Sequence, residues 1–228
     1  MTVLGGKNLN HIIAVAFTVI FSYLIGSLNS AIIVCRLWKG EDIRKSGSNN
    51  AGLTNVLRVY GKGPALATLL CDLAKGVIAV VVCRTVCHYV FDTVFFGDPH
   101  FIGYLAGLCV MLGHCFPVFY GFHGGKGVLL AATTLLAIDP LTCLLSVTVF
   151  AILLAITKYV SVGSIFASVA YPTFTFILQK FVYNGDHAVI PNTVVGILIC
   201  ALIVFLHRPN IKRLMNGTEN KFGKKKEN

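Results

Sequence analysis

IIAVAFTVIFSYLIG, Ile12–Gly26, runs without one charged side chain, and the apolar character continues to residue 36. A helix needs about 20 apolar residues to cross a bilayer, and the span 11–36 has them. A cleaved secretory leader would carry a shorter apolar core and a small-residue A-x-A cleavage site. No clean site of that kind follows, and further apolar runs lie downstream. The segment therefore reads as an uncleaved first crossing.

The whole chain agrees with that reading. Its 228 residues are 56% hydrophobic and only 12% charged, with a mean hydropathy of +0.78. A soluble domain of this size needs a polar skin that these residues cannot supply. The expected fold is all-α: a polytopic integral membrane protein forming a single membrane-embedded domain over 1–228. Apolar spans fall at 11–36, 64–91, 101–120, 128–138, 141–157, 161–180 and 190–207. The fourth is short for a crossing, so charge decides. Residues 37–63 carry Lys39, Arg44, Lys45, Arg58 and Lys62, whereas 92–100 carry Asp92 and Asp98 and no base. Lys126, Asp139, Lys158 and Asp186 then alternate in sign along the later connections, and the 215–228 tail is basic. Cytoplasmic loops hold the excess of Lys and Arg. This pattern predicts seven transmembrane helices, with the N-terminus outside and the C-terminus cytoplasmic. A re-entrant fourth segment would put Lys158 on the wrong side.

The net charge of +10 could suggest a nucleic-acid partner. The positive-inside bias and attraction to anionic lipid account for it instead, so the expected partner is the lipid bilayer and no nucleic acid. Eight cysteines, Cys35, Cys71, Cys83, Cys87, Cys109, Cys115, Cys143 and Cys200, contain no C-x-x-C pair. They read as small buried hydrophobes, with neither a disulfide framework nor a metal site indicated.

The cytoplasmic face also carries three polar runs that plain loops do not need. The first is DIRKSGSNNAGLTNVLRVYGKG, Asp42–Gly63. A Gly/Ser/Asn turn exposing backbone N–H groups leads into a short helix. Leu53, Val56, Leu57 and Tyr60 form its apolar face, and Thr54, Asn55 and Arg58 are expected together opposite it. With Ser48 they could hold an anion; Arg58 would equally serve as a headgroup anchor. The second run is LGHCFPVFYGFHGGKG, Leu112–Gly127. It fails the nucleotide P-loop pattern G-x-x-x-x-G-K-[ST], because Gly121 and Gly125 are one residue too close and Gly127 follows Lys126. Gly124, Gly125 and Gly127 nonetheless permit close backbone approach, and Lys126 precedes a helix whose N–H groups favour an anion. The third run, LHRPNIKRLMNGTENK, Leu206–Lys221, carries His207 and Asn210 three residues apart. Deeper in the membrane, Asp72 and Lys75 have the spacing of a structural ion pair, KYVSVGS places Ser161 and Ser164 at a span end, and Arg84 is expected to snorkel outward.

Taken in order, GSLNSA, DIRKSGSNNAGLTNVLR, DLAKG, LGHCFPVF, FHGGKGV, YVSVGS and HRPNIKRL strongly resemble the bacterial acyl-phosphate:glycerol-3-phosphate acyltransferases, the PlsY family. The resemblance covers nearly the whole chain. It implies a seven-helix enzyme of the bacterial inner membrane, with its active site on the cytoplasmic face. Such an enzyme transfers a fatty acyl group from acyl phosphate to glycerol 3-phosphate, giving lysophosphatidic acid and phosphate, and uses no cofactor or metal. The enzyme that supplies acyl phosphate is a further expected partner. Ser48, Arg58, Lys126, His207 and Asn210 match the motif positions expected to be catalytic. Thr54, Asn55, Gly124, Gly125, Gly127 and Ser164 match substrate-binding positions, and Glu219 matches a structural glutamate of the tail. The chain departs from the family pattern at Asn49 and Leu53, where Gly and Ala are usual. Gly163 replaces a second serine, and Val128-Leu129-Leu130 lacks the threonine of V-A-T.

An acyl phosphate is already activated, so catalysis needs alignment and charge stabilisation more than a protein nucleophile. Lys126 and the glycine amides are expected to hold the phosphoryl group of the donor. Arg58 and Ser48 are expected to hold glycerol 3-phosphate, with Asn210 and Ser164 assisting. Two groups compete as the base for the attacking hydroxyl: His207, and the donor's own phosphate, which the resemblance suggests. A transporter would place its polar residues near the bilayer midplane between repeats, which this sequence does not do.

Overall fold

The computed structural model describes residues 2–185 and 187–223. Asp186 and the tail lysines Lys224, Lys225 and Lys226 lie outside the described residues. Helices dominate, and the strand-like pairing among the described residues is an isolated bridge between Phe95 and Asp98. Among the described residues, six helical stretches are long and apolar enough to cross a membrane: Asn8–Lys39, Lys62–Tyr89, Phe101–Tyr120, Pro140–Thr157, Val160–Val182 and Val189–Leu206. The protein is therefore an all-helical polytopic membrane protein. Packing divides it into two compact units, Met1–Ile138 with Asp186–Ala188, and Asp139–Gly185 with Val189–Asn228.

In the first unit, the opening span is two helices rather than the continuous one expected over 11–36. Helix α1 (Thr2–Ser27) stops at Leu28, and α2 (Ser30–Lys39) restarts after Asn29. The break has a local cause. The Asn29 side chain accepts from the Ile32 amide at 3.1 Å, which caps a new helix in place of continuing the old one. Gly40, in the left-handed region with φ 70°, closes α2. The predicted short helix is α3 (Leu53–Tyr60), followed by α4 (Lys62–Tyr89), α5 (Phe101–Cys115) and α6 (Val128–Ile138). Leu53, Leu57 and Tyr60 of α3 pack on a core of Ile32, Cys35, Ile43, Val56 and Ala65, so the apolar face read from the sequence is the one that is covered. Helices α1 and α5 cross closely at small residues: a Cβ on Gly26 would strike the Val110 carbonyl, and one on Gly113 the Tyr23 carbonyl. Close backbone approach of this kind favours association in lipid, where no hydrophobic drive separates helix from solvent. The short α6 rises about 16 Å, roughly half the hydrocarbon thickness, and packs against α4 and α5.

The second unit contains α7 (Pro140–Thr157), α8 (Val160–Ile177), a π-helical turn over Leu178–Val182, α9 (Val189–Leu206) and α10 (Arg208–Met215). Asp139-Pro140 starts α7 as expected of a turn: Asp139 caps the Thr142 amide at 3.1 Å and Pro140 occupies the first helical position. Pro209 likewise sits in the first turn of α10, where its missing N–H costs nothing. Apolar side chains such as Leu144, Ile152 and Ile156 on α7 and Leu66 and Leu70 on α4 are exposed, as lipid-facing residues should be. All eight cysteines are free.

Candidate active site

The first polar run begins with a charged clamp. Asp42 caps the turn Ile43–Lys45 and pairs with Arg44 at 2.7 Å and Arg36 at 3.0 Å. The hydrogen bond from Arg44 holds the Asp42 carboxyl well below the usual carboxylate range. Arg44 also donates to the carbonyls of Tyr120 at 2.7 Å and His123 at 3.1 Å. One guanidinium thus binds the first run to the second, a geometry that a lysine could not reproduce. Sequence reading gave Arg44 only a topogenic role.

Asn55 requires a correction. It was expected beside Thr54 and Arg58 on the outward polar face, but it is 1% exposed. Its amide donates to the carbonyls of Ser46 at 2.9 Å, Asn50 at 3.1 Å and Ile43 at 3.3 Å, and its oxygen accepts from the Ser48 amide at 2.9 Å. Asn55 therefore folds the Ser46–Asn50 turn around itself. Buried backbone groups must be paired, and the Asn55 amide adds to the turn's own backbone bonds, such as that from the Asn49 amide to the Ser46 carbonyl at 3.1 Å. Ser48 and Arg58 are exposed and Thr54 is half-buried. No carboxylate pairs with Arg58 among the described residues. Asn49 has φ 58°, the left-handed region that favours glycine and tolerates asparagine; its place in a glycine position of the family pattern follows from that.

The second run folds back along the end of α5. The Gly124 amide donates to the Cys115 carbonyl and the Gly125 amide to the His114 carbonyl, each at 3.1 Å. These two amides are therefore committed to the backbone, contrary to the expectation that they hold a phosphoryl group. The glycines serve by being small. A Cβ on Gly124 would collide with the His114 carbonyl, and one on Gly125 with the His114 ring and, at 2.8 Å, the Ala51 carbonyl. Gly127, with φ 76°, lies against Met111 and Cys115. Its carbonyl accepts from Ala131 at 2.8 Å, opening α6 directly after the half-buried Lys126. The first-turn amides of a helix lack intrahelical partners, and those of α6 begin shortly after Lys126. Leu130, at the position of the absent threonine, is fully buried with Ala79 and Val110, so that side chain belongs to the core.

Beneath this loop lies a buried polar centre. Asp72 and Lys75 form the anticipated ion pair at 2.7 Å. The lysine also meets Nδ1 of His114 at 3.1 Å, the Leu28 carbonyl at 3.2 Å and Ser30 Oγ at 3.4 Å. Asn29, besides capping α2, donates to the carbonyls of Ala51 and His114, both at 3.4 Å. His114 and Asn29 were not among the expected functional residues. The available signal was a histidine inside an apolar span, where ionisable groups are costly and need partners.

In the second unit, Glu219 gathers Asn210 at 2.7 Å, Arg213 at 2.6 Å and Ser161 at 3.2 Å. This matches the structural part expected of that glutamate. His207 is buried and its Nδ1 lies 2.8 Å from the Ile203 carbonyl. A carbonyl can only accept, so Nδ1 carries the proton and Nε2 is the basic nitrogen. Ser164 is buried and donates to the Val160 carbonyl at 2.8 Å. Arg84 packs its stem near Gly103.

Among the described residues, Asp98, His100 and His187 bring ligand-type atoms within 4.8 Å of one another. Asp98 Oδ1 accepts from the His100 amide at 2.7 Å and Oδ2 from the Ala188 amide at 3.0 Å, so the carboxylate ties these segments together.

The family model described as glycerol-3-phosphate acyltransferase matches residues 16–217. The glycerol-3-phosphate acyltransferase of Clostridioides difficile (strain 630) is 40% identical over 209 residues, covering 91% of this chain and 95% of the relative. That of Chlorobaculum tepidum is 38% identical over 235 residues, covering 91% and 97%. The crystal structure of PlsY, an integral membrane glycerol 3-phosphate acyltransferase, in its glycerol 3-phosphate form superposes with a TM-score of 0.77 at 35% identity, covering 92% of this chain and 96% of PlsY. The lysophosphatidic acid form gives a TM-score of 0.71 at 34% identity, covering 92% and 95%. Sequence and fold thus agree from the first crossing to the third polar run, and the chain belongs to the glycerol-3-phosphate acyltransferase family.

Proposed function

We propose that this protein transfers a fatty acyl group from acyl phosphate to glycerol 3-phosphate at the cytoplasmic face of the bacterial inner membrane. The observation that carries the proposal is the Gly124–Gly127 loop: it is pinned to α5, Arg44 of the first polar run holds the residues just before it, and Lys126 stands at the start of α6. Lys126 and the α6 N-terminus attract the phosphoryl group of the donor, whose acyl chain stays in lipid. Exposed Arg58 and Ser48, with Thr54, offer the cation and hydroxyls for the phosphate of glycerol 3-phosphate. Asn55 keeps Ser48 in place rather than touching substrate. The roles of Ser164, His207 and Asn210 rest on their match to the family's motifs.

In the reaction, a glycerol hydroxyl attacks the acyl carbonyl and an ester C–O bond forms. The acyl C–O bond to phosphate breaks, and the phosphate leaves with the electron pair. The hydroxyl proton passes to Nε2 of His207 or to the departing phosphate. The products are lysophosphatidic acid and inorganic phosphate. That both a glycerol 3-phosphate form and a lysophosphatidic acid form of PlsY exist supports this choice of acceptor and product.

Purified protein given acyl phosphate and glycerol 3-phosphate is expected to produce lysophosphatidic acid, and Lys126→Ala to lose about 100-fold or more in rate while still inserting in the membrane. Near-normal turnover by Lys126→Ala would sink the loop assignment. If His207→Gln kept most of the single-turnover rate, the proton would go to phosphate.

A further inference from the structure

We propose that His114, oriented by Lys75, is the positioning residue of the Gly124–Lys126 loop and sets the affinity for the phosphoryl end of the acyl donor. The proposal rests on the reading of that loop as the donor site.

An ammonium group only donates, so the 3.1 Å contact between Lys75 Nζ and His114 Nδ1 makes Nδ1 the acceptor. The neutral ring then carries its proton on Nε2, at the opposite edge. That edge occupies the space a Cβ on Gly125 would need. The backbone of His114 holds the same loop from the other side, its carbonyl accepting from the Gly125 amide at 3.1 Å and from Asn29 Nδ2 at 3.4 Å. One residue thus meets Gly125 through both main chain and ring. The ring cannot turn away, because Lys75 is itself fixed by Asp72 at 2.7 Å and by Leu28 and Ser30. Lys126 is the next residue along the chain. A ring that shifts displaces Gly125, and the lysine moves with it. The buried Asp72–Lys75 pair therefore has a second use beyond its own neutralisation: it supports a ligand-positioning side chain.

Two mild variants separate this from a purely structural role. In His114→Asn, the amide lies as far from Cβ as Nδ1, so Lys75 keeps an acceptor and the edge against Gly125 is lost. In His114→Gln, the amide reaches the Nε2 position and restores that edge, at the expense of the Lys75 bond. Steady-state kinetics on the full chain in detergent should show KM for acyl phosphate raised about 10- to 100-fold in His114→Asn. KM for glycerol 3-phosphate should stay within about twofold, and His114→Gln should recover most of the loss. Hydrogen exchange without substrate should show faster exchange at the Gly124 and Gly125 amides in His114→Asn than in His114→Gln, with α4 unchanged. The reverse order of the two variants, equal values, or a parallel change in both KM values would overturn the proposal. A wild-type chain that makes no lysophosphatidic acid would count against the enzymatic reading alone, and the exchange order would still decide whether His114 positions the loop.

Discussion

Asn49 shows how a departure from a family's pattern can be physically conservative. Its φ of 58° lies where a Cβ is crowded against the backbone, and among residues with side chains asparagine bears this best. Asn49→Gly should leave the thermal midpoint unchanged or slightly raised, whereas Asn49→Val should cost about 1–2 kcal/mol. Equal midpoints for the two variants in detergent would show that the turn does not require this conformation. Asn55 teaches the opposite lesson. Its residue type and spacing were plain in the sequence, and its position in the motif suggested substrate contact. Burial assigns it to the turn instead. Whether an amide side chain faces solvent or its own loop depends on the path of residues 46–50, which helical periodicity does not specify.

Gly163 belongs to the scale of elements, because its side-chain size is set by a neighbouring helix. A Cβ there would lie 2.9 Å from both the ring and the carbonyl oxygen of Phe150 on α7. With Phe150 of α7 this close, a serine side chain at this position would need the ring to shift. Gly163→Ala should therefore destabilise the α7–α8 pair by about 1–3 kcal/mol through overpacking, read as a lower unfolding midpoint. An unchanged midpoint would mean that the helices separate freely. The elements themselves were largely legible: α3, α6 and the α7 start stand where apolar periodicity, Gly127 and Asp139-Pro140 put them. The break at Leu28–Asn29 was not, since a single asparagine within an apolar run is compatible with an unbroken crossing. It becomes a break once the Asn29 side chain bonds to the Ile32 amide and to two carbonyls of other segments.

At the scale of the whole molecule, the distribution of charge bears on orientation in the membrane. Basic residues collect in 37–63, around Lys126, at Lys158 and after residue 207, while 92–100 carries Asp92 and Asp98 and no Lys or Arg. We infer seven crossings with the C-terminus in the cytoplasm. A reporter enzyme active only outside the cytoplasm should then work when fused after Gly97 or Gly185 and be silent after Gly61 or Gly217. Activity after Gly217 would reverse the inferred orientation.

By itself the sequence determined that this is a helical membrane protein and where most of its apolar spans fall, and it singled out the short polar runs as candidates for its chemistry. Those features follow from hydropathy, local spacing and residue type, all of which are properties of neighbouring residues along the chain. Only the tertiary structure decided what the polar residues do. It committed the Gly124 and Gly125 amides to α5, turned Asn55 inward, and made Arg44 the tie between two loops. It also set His114 and Lys75 beneath the Gly124–Lys126 loop. Each of these depends on which donor meets which acceptor outside regular helical spacing, from five residues apart in the Asn55 turn to 79 between Arg44 and His123. In a buried, water-poor setting every such group must find a partner, and the identity of that partner is fixed by packing rather than by sequence distance.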